Sequence, residues 1–233
     1  MKPAWKKIGV VLIVFAVAAS SLIIFFQVTA QRPVAAQIIR VACVGDSITE
    51  ISNYPEQLQA MLGDGYLVGN FGVSGSAVVN NASKPYINQS AFQEAKDFQP
   101  HVVIIMLGTN DAKWENYRHV KGFQSDYTRL IREYESLPED QKIYLVTPPP
   151  IYDNQLGLYN TYLEQGVLPG IEQVADDLDL PTIDVNEALA EHEDYFFDGV
   201  HPNPDGAEAI ADTISDAIVP DYDGFNYWDY YSW

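Results

Sequence analysis

Four short stretches of this 233-residue chain carry residue types that can move a proton or hold an anion. They read Gly45-Asp46-Ser47, Gly72-Val73-Ser74-Gly75, Gly108-Thr109-Asn110-Asp111 and Asp198-Gly199-Val200-His201. A serine hydroxyl is a poor nucleophile until a neighbouring base removes its proton, and histidine is the side chain whose basicity suits that task near neutrality. Ser47 therefore needs a histidine, and the chain offers four. His101 follows Pro100 at the start of an apolar run, the wrong end of a strand for such a site, and His119 sits among charged residues. His192 lies in Glu191-His192-Glu193-Asp194, which reads as a solvated run. His201 is better placed, in a loop with Asp198 three residues before it and Pro202 directly after, a stiff turn that can point both side chains the same way. A carboxylate beside the imidazole fixes its tautomer and stabilises the imidazolium formed as a serine attacks.

Attack on a carbonyl leaves an oxyanion, which preorganised N–H donors stabilise. Gly75 permits close backbone approach, Asn110 offers a neutral amide, and Ser47 can add its own N–H. Taken singly, each signal has a plainer reading. Ser47 could cap a helix, Asp198 could bond within its own turn, Gly75 could serve a turn alone, and Asn110 could cap the next element. What distinguishes the four stretches is where they fall relative to the elements that must position them.

Short runs rich in Val and Ile alternate along the chain with longer stretches of helical period, the pattern of repeated strand-helix units. Strands are expected over residues 38–44, 66–71, 102–107, 143–147 and, most weakly, 181–185. Helices are expected over residues 56–62, 91–98, 122–136, 169–180 and 204–218, with Pro169 and Pro204 suited to first-turn positions. Near-continuous apolar strands separated by crossover-length segments imply a parallel, doubly wound α/β sheet covered on both faces. Ligands of such sheets bind outside the carboxyl ends of the strands, and one rim would gather all four stretches there.

In this order, GDS at the first strand, SG after the second, GTND after the third and DGVHP near the C-terminus, the stretches resemble the four sequence blocks of the SGNH, or GDSL, hydrolases. The resemblance covers roughly residues 38–218 and implies a flavodoxin-like three-layer α/β/α fold around a five-stranded parallel sheet. It also implies Ser47 as nucleophile and first oxyanion donor, Gly75 and Asn110 as the other donors, and Asp198 with His201 as the remaining members of a catalytic triad. Where the family commonly reads GDSL this chain reads GDSI, an apolar exchange at Ile48. No cofactor is implied, and without an HExxH motif or a cysteine pair no metal is called for. Gly72 to Ser76 nearly matches the GxSxG elbow of ordinary α/β-hydrolases but ends on Ser76. The stretch from Asn70 to Asp111 is similar to that of GDSL esterases acting on carbohydrate O-acetyl groups, which makes Lys84, Tyr86 and Trp114 candidates for lining a sugar subsite, with an ordinary surface turn at Lys84-Pro85-Tyr86 as the equal alternative.

Residues 8–28 run for 21 positions without a charge, long enough to span a bilayer, and Lys2, Lys6 and Lys7 before them favour a cytoplasmic N-terminus. The expected organisation is a cytoplasmic stub and transmembrane helix over residues 1–30, a linker over 31–37, a hydrolase domain over 38–219 and an aromatic, acidic tail over 220–233. A signal peptide cut near Val28-Thr29-Ala30 is the alternative, and it would release the domain as a secreted protein. All 32 acidic residues lie beyond residue 40, whereas five of the 13 Lys and Arg lie before it, so the exported surface repels nucleic acid and other polyanions. The single cysteine, Cys43, sits in an apolar run and leaves no intramolecular disulfide.

Taken together, these readings lead to an extracytoplasmic serine esterase that hydrolyses short acyl esters, acetyl first, on carbohydrate. Its partners are a small-molecule or glycan ester and, through residues 8–28, the membrane. The same triad would support a lysophospholipase, a thioesterase or acyl transfer to a second sugar. A non-catalytic surface binding module is the alternative of another class, and the joint presence of Ser47, Asp198 and His201 argues against it, because binding alone does not require those three.

Overall fold

The computed structural model describes residues 38–138 and 140–223, so the expected anchor and linker over residues 1–37 and the tail beyond 223 lie outside the described residues. Among the described residues no helix is long and apolar enough to cross a membrane. Five strands form one sheet: β1 (Ile39–Gly45), β2 (Tyr66–Gly72), β3 (Val102–Met106), β4 (Lys142–Val146) and β5 (Thr182–Ile183). They lie in the order β2-β1-β3-β4-β5, and every neighbouring pair is parallel. That is the flavodoxin-like order, with its switch point between β1 and β3.

Parallel neighbours require crossovers, and helices supply them. The short α1 (Ser47–Ile51) and α2 (Tyr54–Leu62) join β1 to β2, α3 (Ser90–Asp97) joins β2 to β3, α4 (Phe123–Glu135) joins β3 to β4, and α5 (Leu168–Leu178) joins β4 to β5. The last helix, α6 (Pro204–Asp223), follows β5. Strand side chains alternate between two cores. Ala42, Val44, Val103, Ile105, Ile143 and Leu145 point to one face, where Phe92, Tyr127, Leu130 and Ile171 of α3, α4 and α5 cover them. Val41, Cys43, Val102, Ile104, Met106, Tyr144 and Val146 point to the other, against Tyr54 and Leu58 of α2 and Ala207, Ile210 and Ile214 of α6. Each of the Val, Ile, Leu and Met side chains contributes roughly 1.5–3 kcal/mol on burial, which is why the strands read as near-continuous apolar runs.

The structure departs from the sequence expectation in several places, among them α6, which runs on to Asp223 and so takes in the first four residues of the expected tail. β5 is two residues long because Asp184 caps the one-turn helix Val185–Ala188, accepting from the Glu187 N–H and ending the strand early. α5 is preceded by a π turn, Leu163–Val167, placed where Pro169 has no N–H to donate and its ring would crowd the carbonyl one turn back. α1 has no counterpart among the expected helices. The register of β1 decides where the first three stretches meet: Gly45 lies level with Gly72 of β2 and Met106 of β3, so the connections leaving all three strands start from one rim.

Candidate active site

Ser47 opens α1 as its first residue, while the capping role falls to Asp46, whose Oδ1 accepts from the Ile48 N–H at 3.0 Å. The serine hydroxyl is thus left unused by its own helix. It lies 2.9 Å from Nε2 of His201, 154 residues further along the chain. His201 Nδ1 lies 2.7 Å from Asp198 Oδ2, and the other carboxylate oxygen, Oδ1, accepts from the backbone N–H of Val200 at 3.0 Å and of His201 at 2.7 Å. Both readings of Asp198 therefore hold together, one oxygen fixing its own turn and the other meeting the imidazole.

Burial pushes the Asp198 carboxyl up, but the N–H groups of His201 and Val200 and the imidazole outweigh it and hold the group below the ordinary carboxylate range. An ionised carboxylate only accepts hydrogen bonds, so Nδ1 carries the imidazole proton and Nε2 is left to accept from the Ser47 O–H. The turn is itself pinned. Gly199 has φ +82°, and its carbonyl accepts from the Tyr152 N–H at 2.8 Å on the connection that leaves β4.

Gly75, with φ +78°, is exposed, and no heavy atom lies within 4 Å of where a Cβ would stand. Its neighbour Ser74 is held at both polar ends, the N–H donating to Glu50 Oε2 at 2.6 Å and the carbonyl accepting from Lys84 Nζ at 2.8 Å. The bonds from Ser74 keep the Glu50 carboxyl below its usual range. Asn110 stands in the turn after β3, where its Nδ2 donates to the Ser76 carbonyl at 3.0 Å and to Asp46 Oδ2 at 3.3 Å. The amide of Asn110 therefore links the loop after β2 to the residue before Ser47.

Two buried acids underlie this arrangement, and both lie within the four stretches without having been given a role there. Asp46 and Asp111 are each 1% exposed. Asp111 receives the N–H groups of Val78 at 2.9 Å and Val79 at 3.0 Å, tying the connection after β2 to that after β3. Burial raises Asp46 to about 6, with the Ile48 N–H, Thr109, His201 and Asn110 pulling it back. Burial raises Asp111 to about 7, with the Val78 and Val79 N–H groups opposing and the charge of Asp46 adding to the rise. The position of Asp46 before α1 is a capping signal that sequence could have offered, whereas nothing in sequence marks Asp111 as buried.

These shifts set a stability profile. An acid whose pKa is raised on folding holds its proton more tightly in the folded chain, so the stabilisation from Asp46 and Asp111 is complete below the unfolded carboxylate value of about 3.9 and is lost as pH rises through about 6 to 7. Glu50, Glu133 and Asp198 shift downwards, so their contribution is present above the ordinary range and is lost in acid. The urea midpoint should therefore fall between about pH 5 and about pH 8, and a midpoint that rises over that interval would contradict the burial of both acids.

The other candidates are placed elsewhere. His101 Nδ1 accepts from the Arg40 N–H at 2.8 Å at the opposite end of the sheet, His119 meets Arg118, and His192 stacks on Tyr195 at 4.4 Å. Of the three candidates for a sugar subsite, Tyr86 is fully buried and donates to the Phe71 carbonyl at 2.6 Å, and Lys84 is occupied at Ser74. Both serve the fold, because a short loop crossing a sheet rim needs its carbonyls satisfied. Trp114 alone of the three stays open, at 58% exposure.

Comparison with known proteins places this geometry in context. A family model described as the GDSL-like Lipase/Acylhydrolase family matches residues 43–209, an interval that includes all four stretches. An acetylxylan esterase of Xylanibacter ruminicola is 35% identical over 206 aligned residues, covering 77% of this chain and 43% of that protein, so the chain spans less than half of that relative's length. Among solved structures, a carbohydrate acetylesterase from Sinorhizobium meliloti superposes with a TM-score of 0.63 at 18% identity, covering 79% of this chain and 100% of that one. A lipase/acylhydrolase from Enterococcus faecalis gives 0.63 at 23% identity, covering 78% and 95%. At these identities the structural likeness speaks for the fold.

Proposed function

This chain belongs to the GDSL-like lipase/acylhydrolase family and is by that membership a carboxylic ester hydrolase, and from that premise we propose that it removes short acyl groups, acetyl first, from carbohydrate esters. The observation that carries the proposal is the unbroken run from Ser47 Oγ through the His201 ring to Asp198, with links of 2.9 and 2.7 Å. In this reading His201 Nε2 takes the Ser47 proton as Oγ attacks the acyl carbon, and Asp198 stabilises the imidazolium. The carbonyl electrons move onto oxygen, which accepts hydrogen bonds from the N–H groups of Ser47 and Gly75 and the amide of Asn110. To donate there, Asn110 exchanges its longer bond, the 3.3 Å contact to Asp46, and keeps the one to Ser76. Collapse expels the sugar hydroxyl with the proton from His201, and water, activated by the same base, releases the acid and restores Ser47.

Support for a carbohydrate acetyl ester comes from the acetylxylan esterase relative at 35% identity. The uncharged run over residues 8–28 supports placing the domain outside the cytoplasm, tethered through that segment. Acetate release from acetylated xylo-oligosaccharides, compared with hydrolysis of long-chain acyl esters, is the test. We expect the specificity constant to favour the acetyl sugars by roughly an order of magnitude or more. A preference for long chains would turn the assignment to a lysophospholipase or thioesterase, and failure of a covalent serine probe to label the protein would turn it to a binding module.

A further inference from the structure

Four aromatic rings gather beside the turn that carries Asn110. Tyr117 and Tyr162 stack face to face, with centroids 4.1 Å apart and planes 7° from parallel. Trp114 and Tyr159 both lie against Tyr162, at 6.2 and 5.2 Å. Stacking of this kind would suit a core, yet Trp114 remains 58% and Tyr159 51% exposed. The cluster is also fixed to the candidate site. Asn116, between Trp114 and Tyr117, donates through Nδ2 to the Asn110 carbonyl at 2.8 Å, and the Tyr159 N–H donates to the Ala112 carbonyl at 3.2 Å. Lys113 and Leu158 pair as an isolated antiparallel bridge between the same two segments. Both segments belong to the connections that leave the carboxyl ends of β3 and β4, the rim on which Ser47 and His201 meet.

We propose that Trp114, Tyr117, Tyr159 and Tyr162 form a saccharide platform, a subsite that stacks a pyranose ring of the glycan whose ester lies at Ser47. The inference rests on the carbohydrate-esterase reading above and adds to it where the sugar chain runs. A pyranose is apolar on its two C–H faces and polar around its edge, so an open ledge of rings covers one face while the hydroxyls stay in water or meet the tyrosine hydroxyls. An acyl chain has no such two-sided character and would favour an enclosed slot. A pinned ledge also adds binding at a distance from the reacting carbonyl, which positions the ester without entering the chemistry.

Two measurements test the platform, using the full chain. Trp114→Ala and Tyr159→Ala should each lower the ratio of specificity constants, acetylated xylohexaose over p-nitrophenyl acetate, by about tenfold and chiefly through KM, with Trp114→Phe recovering most of it. Calorimetric titration of Ser47→Ala with unacetylated xylohexaose should show binding that Ser47→Ala/Trp114→Ala loses. If wild-type protein releases acetate from the oligosaccharide but both ratios stay unchanged in folded variants, the platform fails and the esterase reading stands. If binding depends on Trp114 but no acetate is released, the platform stands and that reading fails. Self-association that Trp114→Ala abolishes, seen by sedimentation, would assign the rings to a second copy of the chain and overturn the platform.

Discussion

Ser47→Ala should lose between about 10⁴- and 10⁶-fold in turnover, the range that removal of a triad serine produces, while the domain stays folded. Mutation of a residue at a helix start commonly costs stability as well, and here the geometry separates the two effects. Asp46, rather than Ser47, accepts the Ile48 N–H that caps α1, so the alanine variant keeps its cap. The side-chain bond removed is that to His201, on a half-buried residue, which keeps the expected change in stability within about 0.5 kcal/mol. Acetate release followed by coupled assay, alongside a urea titration, checks both halves. Activity of more than a few per cent would place the nucleophile elsewhere, and a large fall in midpoint would mean that the hydroxyl is structural. His192→Ala serves as the control, since that ring stacks on Tyr195 and lies 4.0 Å from an Asp194 carboxylate oxygen, away from Ser47.

The parts of this molecule that sequence reveals are those in which residue type alone records the environment. β1, β3 and β4 are sandwiched between two helical layers, so apart from Arg40 and Lys142 near the strand starts their side chains are apolar and the runs are visible without any partner. β5 pairs over only two residues at the sheet edge, and Asp184, which ends it, looks from sequence like any loop acid. α1 is five residues long, too short for a period to register, and its cap coincides with the stretch read as chemistry. Ser47, His201 and Asp198 could be shortlisted because few side chains can exchange a proton near neutrality and the chain has only four histidines. Asp111 and Glu50 could not, because their roles depend on which backbone amides fold back onto them, those of Val78 and Val79 and that of Ser74. Tyr86 fails as a sugar ligand for the same reason, its ring being buried and its hydroxyl taken by the Phe71 carbonyl, and Lys84 gives one of its three N–H groups to the Ser74 carbonyl, partners adjacent in space but not in sequence. The ring cluster joins Trp114 to Tyr159 and Tyr162 across an intervening strand and helix, a juxtaposition no local pattern encodes.

Gly199→Ala should be far more damaging than Gly75→Ala, although the two glycines share a backbone conformation. Both glycines have positive φ, +82° and +78°, so alanine costs each about 1–2 kcal/mol in backbone conformation alone. At Gly75 no heavy atom lies within 4 Å of the new methyl, so that conformational cost is the whole expectation and the N–H proposed above as an oxyanion donor survives. At Gly199 the methyl would collide with the Asp153 carbonyl oxygen, and backbone cannot swing aside as a flexible side chain can. Either the connection after β4 or the turn at residues 198–201 must move, and the Tyr152 N–H bond to the Gly199 carbonyl is lost with the displacement. Total destabilisation of roughly 3–4 kcal/mol results from adding the collision to the backbone cost. The turn also aims Asp198 and His201 at Ser47, and a displacement of about 1 Å in such a constellation costs on the order of 100-fold in rate. Urea midpoints and specificity constants for the two variants, measured side by side, should therefore differ sharply. Equal behaviour would mean that the tight packing of Gly199 on Asp153 has no part in holding the base.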